Sequence, residues 1–199
     1  MKKGNDTRER LLATTGALLQ KQGYFATGVQ EILKTSETPR GSFYFHFPGG
    51  KEELACAALQ DKAHQWQDFL EERANQAVTL PEALSNVCDA LAEAMVRSNY
   101  ELGCPVATTA LEAAATVDSI HRICSDHYAT LAEKIASRLR AAGIPESQTA
   151  VLSTLVISAV EGALLLSRAH RSPEPLHQVG ASLRNLLVMT ATPGSKKHF

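Results

Sequence analysis

The stretch Thr38–Lys51, TPRGSFYFHFPGGK, decides how the rest of the chain is interpreted. A hydroxyl residue followed by proline is typical of the start of a short helix, and the Pro-Gly-Gly run marks its end. Arg40, Tyr44 and His46 supply hydrogen-bonding groups, while Gly41 has no side chain and so lets the helix backbone approach DNA closely. This order predicts a helix that lies against DNA, followed by a lysine that binds phosphate.

The residues before this stretch predict two further helices and a turn. Apolar residues recur at three- and four-residue spacing up to Gly23, which we expect to end the first helix. Thr27 and Thr38 are predicted to cap the second and third helices with their hydroxyl groups, and Pro39 is expected at the first position of the third. Three helices that end near residue 50 form a helix-turn-helix unit.

A helix-turn-helix unit places its second helix in the major groove, with the first residues of that helix at the base edges. Arg40 can fork onto guanine, and Lys51 can share one phosphate with the N–H groups that begin the next helix. Phe43 and Phe47 are predicted to belong to the core of the unit. The predicted DNA-binding residues are Thr27, Thr38, Pro39, Arg40, Gly41, Ser42, Tyr44, His46 and Lys51.

The charges are distributed in a way that agrees with this interpretation. Residues 1–51 hold eight of the 20 Lys and Arg but only four of the 21 Asp and Glu, so the remainder is acidic. A basic segment on an acidic body fits a DNA-binding head, although chance asymmetry is an alternative. No run of about 18 apolar residues and no apolar segment behind the first lysines is present, which predicts a cytoplasmic protein without a membrane span.

Almost every other segment has helical periodicity, so the predicted fold is all-α with about nine helices and no sheet. The four cysteines have neither metal-binding nor C-x-x-C spacing, and we interpret them as buried small side chains. A thiol-based sensor is the alternative. No nucleophile with a base, metal cluster or phosphate loop is recognisable, so we expect no enzymatic activity, no cofactor and no metal.

Residues 150–166, AVLSTLVISAVEGALLL, are apolar on nearly every side of a helix. Such a helix buries one face in its own subunit and another in a partner. The last helix shows the same pattern, which predicts a homodimer held by two helices from each subunit. A helix wholly buried in a monomer is the alternative. The predicted interface residues are Leu155, Ala159, Leu183 and Leu186.

Over about residues 7–55 the chain resembles the TetR/AcrR family of bacterial transcriptional regulators. The resemblance rests on Thr27-x-Val29-x-x-Ile32, on Gly41-Ser42-Phe43-Tyr44-Phe45-His46-Phe47 and on Lys51-Glu52-Glu53-Leu54. The Phe-Pro-Gly-Gly-Lys-Glu run and Gly103-Cys104-Pro105-Val106 are similar to the LmrA/YxaF-type repressors of drug-resistance genes.

One position departs from the family pattern. Glu37 stands where the family usually has a glycine with positive φ, and a residue with a side chain there costs up to about 1 kcal/mol. It also brings a carboxylate near DNA. We expect an altered turn or weaker DNA binding, and a head that has lost its affinity for DNA is the extreme alternative.

The resemblance implies a DNA-binding domain at 1–50 and an effector-binding and dimerisation domain at 51–192. From its composition we expect the tail at 193–199 to be disordered. A small, largely neutral apolar or aromatic effector would move the fourth helix and release the repressor from a palindromic double-stranded DNA operator. His127 or His121 could pair with a polar group of the effector, although solvated histidines are favoured. The candidate effector-binding residues are Trp66, Phe69, Met95, Cys104, Leu111, Cys124 and Tyr128.

Overall fold

The computed structural model describes residues 2–191, with side chains from Asp6 to Met189. The described residues form nine α-helices and no strand, which confirms the all-α class. The predicted tail at 193–199 lies outside them. The helices are α1 (Lys2–Ala26), α2 (Val29–Thr35), α3 (Arg40–His46), α4 (Gly50–Asn75), α5 (Leu80–Arg97), α6 (Pro105–Ala113), α7 (Asp118–Ala141), α8 (Glu146–His170) and α9 (Glu174–Ala191).

These helices form two compact units. The first contains the described residues up to Asp68 together with Leu102–Tyr128, and the second contains Phe69–Glu101 and the described residues from Ala129 onward. Helices α4 and α7 therefore contribute residues to both. The functional boundary at residue 50 stays a prediction.

The core of the head lies in the first unit and is built from α1, α2, α3 and the start of α4. Phe43 and Phe47 are buried there, which confirms that these two rings are structural. Removal of each large apolar side chain from water contributes about 1.5–3 kcal/mol, so this cluster holds the short helices α2 and α3 in place. Its fully or almost fully buried members are Leu11, Ile32, Phe43, Phe47 and Leu54.

The predicted threonine caps of α2 and α3 are wrong. The side chains of Thr27 and Thr38 are only 1% and 5% exposed. The Thr27 hydroxyl donates to the Gly23 carbonyl at 2.7 Å, and the Thr38 hydroxyl donates to the Ser36 carbonyl at 3.2 Å. Each hydroxyl is enclosed by the core and takes a nearby carbonyl oxygen instead of a helix N–H. Pro39 is the residue before α3 and not its first residue.

The second unit packs α5 closely against α9. A Cβ atom at Gly180 of α9 would lie 2.9 Å from the Cβ atom of Cys88 on α5, so glycine is what permits this approach. The start of α5 is fixed by a reciprocal cap in which Glu82 N–H donates to the Thr79 hydroxyl and Thr79 N–H donates to the Glu82 carboxylate. The buried apolar core of this unit consists of Leu84, Leu139, Ile144, Val156, Leu183 and Leu187.

Candidate functional site

The turn between α2 and α3 has the geometry that a glycine would supply. Glu37 adopts φ 50°, the left-handed conformation. Thr38 N–H donates to the Leu33 carbonyl at 3.0 Å and Glu37 N–H donates to the Lys34 carbonyl at 3.3 Å, which together form a Schellman motif. Glu37 itself adopts the positive φ that is usual for glycine, so the expected alteration of the turn is not seen. Weaker DNA binding stays a prediction.

One side of α3 is open to solvent and carries groups that suit DNA. Arg40 is exposed, and its guanidinium carbon lies 5.7 Å from the centroid of the Tyr44 ring, one helical turn along. A Cβ atom at Gly41 would have no heavy atom within 4 Å in the described part of the chain. Ser42 and His46 are half-buried at the sides of this surface.

Phe45 is a surface residue of α3 that sequence reasoning missed. Its side chain is 82% exposed, and its ring packs edge-on against His46 with centroids 5.1 Å apart. The signal was present in the sequence, because a residue two positions from Phe43 lies about 200° away around the helix. Since Phe43 and Phe47 point into the core, Phe45 points outward.

Lys51 lies at the second position of α4, where the backbone N–H groups of the helix begin. Its ammonium lies 4.2 Å from the centroid of the Tyr24 ring, a cation–π arrangement. Burial lowers the pKa of Lys51, and the negative charge of Glu112 opposes that lowering. Just before α4, Gly49 N–H donates to the Glu53 carboxylate at 2.7 Å. This helix start can hold a phosphate oxygen beside a lysine.

Only part of the predicted DNA-binding set therefore lies at the surface. Residues 39–41 and Tyr44 are exposed, and Ser42, His46 and Lys51 are half-buried. Thr27 and Thr38 are buried with their hydroxyl groups already hydrogen-bonded, so their side chains do not face a DNA duplex.

Helix α8 buries hydroxyl residues together with Val156, Ala163 and Leu164. Its buried side includes Thr149, Ser153 and Ser167, whereas large apolar side chains of the same helix are exposed. The exposed apolar residues on α8 and α9 are Val151, Leu155, Leu165, Leu166, Val188 and Met189. Exposed apolar surface of this extent is typical of a protein interface.

The predicted interface residues divide between this surface and the core. Leu155 is 45% exposed, and Ala159 and Leu186 are half-buried. Leu183 is buried in the core of its own unit, so it is not a surface residue of α9. The reason is the helical phase, because Leu176, Leu183 and Leu187 share the inner face of α9.

By length and composition alone, Glu146–His170 is the one helix among the described residues that could cross a membrane. The criterion is weak, because a core helix of a soluble protein meets it too. Here the Thr149 hydroxyl donates to the Glu146 carbonyl, and the Ser153 hydroxyl donates to the Thr149 carbonyl at 2.7 Å. These hydroxyl groups are buried in the second unit together with Val156 and Leu164.

The predicted effector-binding residues are divided between the two units. Met95, Cys104 and Cys124 are buried, whereas Leu111 is 83% exposed and is not an interior side chain. The second unit has two described grooves, of about 490 and 650 Å³, and none of the predicted residues lines either of them. The remaining candidates, Trp66, Phe69 and Tyr128, are half-buried.

A buried polar pair lies next to several of these candidates in the sequence. Gln67 and His127 are 7% and 5% exposed, and Gln67 Nε2 lies 3.1 Å from His127 Nδ1. The preference for a solvated histidine is therefore wrong for His127, while His121 is exposed. Tyr128 packs edge-on against His127. Sequence reasoning missed Gln67, because only the fold brings α4 and α7 together here.

Two family models match the chain. The model for bacterial regulatory proteins of the tetR family matches residues 11–58. The model for the C-terminal domain of LmrA/YxaF-like transcriptional regulators matches residues 81–182, just over half of the 199 residues. The chain belongs to the TetR family. It is a DNA-binding transcriptional regulator of the LmrA/YxaF-like group.

Individual proteins agree with this assignment. The chain is 29% identical over 189 residues to the transcriptional regulator LmrA of Bacillus subtilis, covering 92% of this chain and 97% of that protein. It is 46% identical over 56 residues to the transcriptional repressor NemR of Escherichia coli, covering 28% of each chain. A TetR transcriptional regulator from Chloroflexus aurantiacus has the same fold, with a TM-score of 0.85, 25% identity and coverage of 96% of this chain and 98% of that one.

The four cysteines of this TetR-family chain are free thiols. Burial raises the pKa of Cys88 to about 12 and that of Cys124 to about 11, with smaller contributions from Asp89 and Cys56 respectively. Because the thiolate is the reactive species, these two thiols are poorly reactive near neutral pH. Cys104 is buried, and Cys56 is half-buried. Among the described residues no group of three or more His, Cys, Asp or Glu could hold a metal ion.

Proposed function

We propose that the chain is a homodimeric transcriptional repressor that binds a palindromic operator through α3 and the start of α4. The observation that carries the proposal is the exposed surface of α3, where Arg40, Tyr44 and Phe45 surround the open position at Gly41. A helix with a thin, hydrogen-bonding surface can enter the major groove. The repressor role is supported by the 46% identity to the NemR repressor in the head.

The residues of this surface take different parts in binding. Arg40 is placed to fork onto guanine O6 and N7, and Phe45 to contact a thymine methyl group. Tyr44 and Lys51 bind phosphate and set the position of the helix on the duplex, with Lys51 helped by the N–H groups at the start of α4. Pro39, Ser42 and His46 contribute at the edges, whereas Thr27 and Thr38 are left out because their side chains are buried.

The second subunit covers the exposed apolar face of α8 and the end of α9. Val151, Leu155 and Leu166 recur at helical spacing along α8, and Gly162 lies on the same side with open space at its Cβ position within the described residues. A glycine there lets a second helix approach closely. A two-fold dimer places two copies of α3 on two half-sites, which is why the operator is palindromic.

The repressor is released by a small apolar or aromatic effector. The candidate effector-binding residues are mainly apolar or aromatic, and the Gln67–His127 pair is the polar feature that would bind one hydrogen-bonding group of such a ligand. Control of a drug-resistance or efflux gene follows from the resemblance to LmrA/YxaF-type repressors. The protein acts in the cytoplasm and is not an enzyme, in agreement with relatives that are named as transcriptional regulators.

A mobility-shift titration with the DNA upstream of the protein's own gene tests the proposal. Lys51→Ala should weaken binding to specific and mixed-sequence duplexes alike and lower the salt slope by about 1. Tyr44→Ala should also weaken binding to both duplexes. Lys134→Ala is the matched control, since Lys134 pairs with Glu71 in the second unit, 2.8 Å away.

Two results would contradict the proposal. A folded wild-type dimer that shifts no DNA at low salt would support a head that has lost its affinity for DNA. A Lys51→Ala salt slope equal to that of wild type would remove Lys51 from the phosphate contacts. Replacement of all four cysteines tests the thiol-based alternative, because a sensor of that kind would no longer leave the operator when an oxidant is added.

A further inference from the structure

A carboxylate from α6 is packed against the bend near the end of α1. Gly23 has φ 78° and interrupts the helical backbone of α1. The Glu112 carboxylate accepts a hydrogen bond from Phe25 N–H at 3.2 Å. A Cβ atom at position 23 would lie 2.3 Å from Oε2 of Glu112, so the glycine leaves the space that this carboxylate occupies. The position of the Glu112 carboxylate thus depends both on its hydrogen bond to Phe25 and on the absence of a side chain at Gly23.

This contact lies beside the predicted phosphate lysine. Tyr24, between Gly23 and Phe25, is buried, and the Lys51 ammonium lies 4.2 Å from the centroid of its ring. The charge of Glu112 also acts on Lys51, because it raises the lysine pKa against the lowering caused by burial. Glu112 therefore affects Lys51 in two ways. It fixes the backbone next to Tyr24, which contacts the Lys51 ammonium, and its negative charge raises the pKa of Lys51.

At its other end α6 is attached to α1 by a second contact. Gln20 Nε2 donates to the Gly103 carbonyl at 2.8 Å, two residues before α6 begins. Helix α6 is thus hydrogen-bonded to α1 near each of its ends, and only the Glu112 contact lies at the bend next to Lys51.

We propose that Glu112 is a positioning residue for DNA binding, which holds the bend at Gly23–Phe25 and thereby keeps Lys51 on the Tyr24 ring at the start of α4. The inference rests on the proposed function, since Lys51 is there assigned to phosphate. Because Glu112 lies on α6, a movement of α6 would change the position of Lys51 through the bend in α1, and no movement of α4 is required.

The first experiment needs no DNA. Amide hydrogen exchange at Phe25 and the ring-current shift of the Lys51 side-chain protons are measured in wild type, Glu112→Ala, Glu112→Gln and the control Glu93→Ala. Glu112→Ala should lose protection at Phe25 and move the Lys51 signals toward their free values. Glu112→Gln keeps an acceptor oxygen and should resemble wild type. Glu93 pairs with Arg97 on its own helix, so its removal should change neither signal.

The second experiment measures affinity for a mixed-sequence duplex at low salt. Glu112→Ala should weaken binding about threefold to tenfold, as expected for one lost hydrogen bond, and Glu112→Gln should restore most of it. In a Lys51→Ala background the Glu112→Ala change should have little further effect, because both act on the same phosphate contact. A merely structural role for Glu112 would leave the two effects additive.

The outcomes separate the two proposals. Unchanged Phe25 exchange in Glu112→Ala, or additive effects with Lys51→Ala, would overturn the positioning role. If the wild-type chain bound no DNA, the proposed function would fail, while the exchange and ring-current measurements would still decide whether Glu112 holds Lys51. Thermal unfolding of each variant identifies a general loss of fold. If Glu112→Ala does not fold, Glu112→Gln is the test, because Phe25 exchange or Lys51 shifts that differ from wild type in that variant would overturn the positioning role.

Discussion

Helices α3 and α8 are both proposed as binding surfaces, and they divide their side chains in opposite ways. On α3 the apolar rings of Phe43 and Phe47 are buried, and Arg40 and Tyr44 are exposed, as expected for a helix at the surface of a small head. On α8 hydroxyl side chains are buried beside Val156 and Leu164, while other large aliphatic side chains are exposed. The comparison shows that hydroxyl side chains can lie on the buried side of a helix whose other side exposes large aliphatic residues.

The backbone of α8 provides acceptors for two of its buried hydroxyl groups. Ser153 donates to the carbonyl four residues earlier, and Thr149 to the carbonyl three residues earlier, so both hydroxyl groups are satisfied inside their own helix. In the proposed function the exposed aliphatic side chains of α8 contact a second subunit, whereas the exposed side chains of α3 contact DNA.

The largest expected effect lies within α3 and tests whether its two sides are independent. Phe43→Ala should lower the free energy of unfolding by about 3–5 kcal/mol, because it leaves a cavity in a closed core. Phe45→Ala should change it by no more than about 0.5 kcal/mol, because that ring is exposed. Urea unfolding of the two variants measures both values. Equal losses of stability would show that Phe45 is structural.

The same pair separates stability from recognition. Phe45→Ala should reduce discrimination at one base pair of the operator, where a lost favourable contact costs about 1–3 kcal/mol. Affinity for mixed-sequence DNA should change much less, since phosphate contacts supply most of that affinity. An operator with each position varied in turn is the substrate for this measurement. A uniform loss at all positions would assign Phe45 to general binding instead of base recognition.

The next effect concerns the exposed face of α8. Leu155→Asp should raise the dissociation constant of the dimer at least about 100-fold, since burial of an unpaired carboxylate costs several kcal/mol. Val96→Asp on α5 is the matched control, because Val96 is similarly exposed but lies outside this face. Sedimentation across a concentration series gives the dissociation constants. An intact Leu155→Asp dimer would mean that another surface joins the subunits.

The sequence predicts some features of these regions better than others. The class of fold and the core role of Phe43 and Phe47 were predicted, because each depends on patterns among neighbouring residues. The expected alteration of the turn at Glu37 was wrong, because this residue adopts the positive φ itself. The burial of Leu183 on the inner side of α9 was not predicted. When apolar residues lie on all sides of a helix, the sequence does not show which side faces the core.

Contacts between distant segments were also beyond the sequence. Gln67 and His127 are 60 residues apart, and Phe25 and Glu112 are 87 apart, so no local pattern joins either pair. The threonine caps failed for a related reason. Thr27 and Thr38 stand at good cap positions in the sequence, but the surrounding core encloses their hydroxyl groups and gives them other acceptors.

The smallest expected effect is at the turn that presents α3. Glu37→Gly should raise the free energy of unfolding by at most about 1 kcal/mol, because glycine adopts positive φ without strain. Glu37→Gln keeps the strained φ of 50° and removes only the charge, so its stability should match wild type. The two variants therefore separate backbone strain from electrostatics at a single position.

DNA affinity of the same two variants identifies which property matters for binding. If the carboxylate of Glu37 repels phosphate, both changes should tighten binding about two- to threefold at low salt, as expected for one exposed charge, and the gain should fade as salt is added. If strain in the turn limits binding instead, only Glu37→Gly should tighten it, at every salt concentration. Equal affinity in all three proteins would show that Glu37 fits this turn without cost to DNA binding, since the Schellman hydrogen bonds of Thr38 and Glu37 already hold α3 in place.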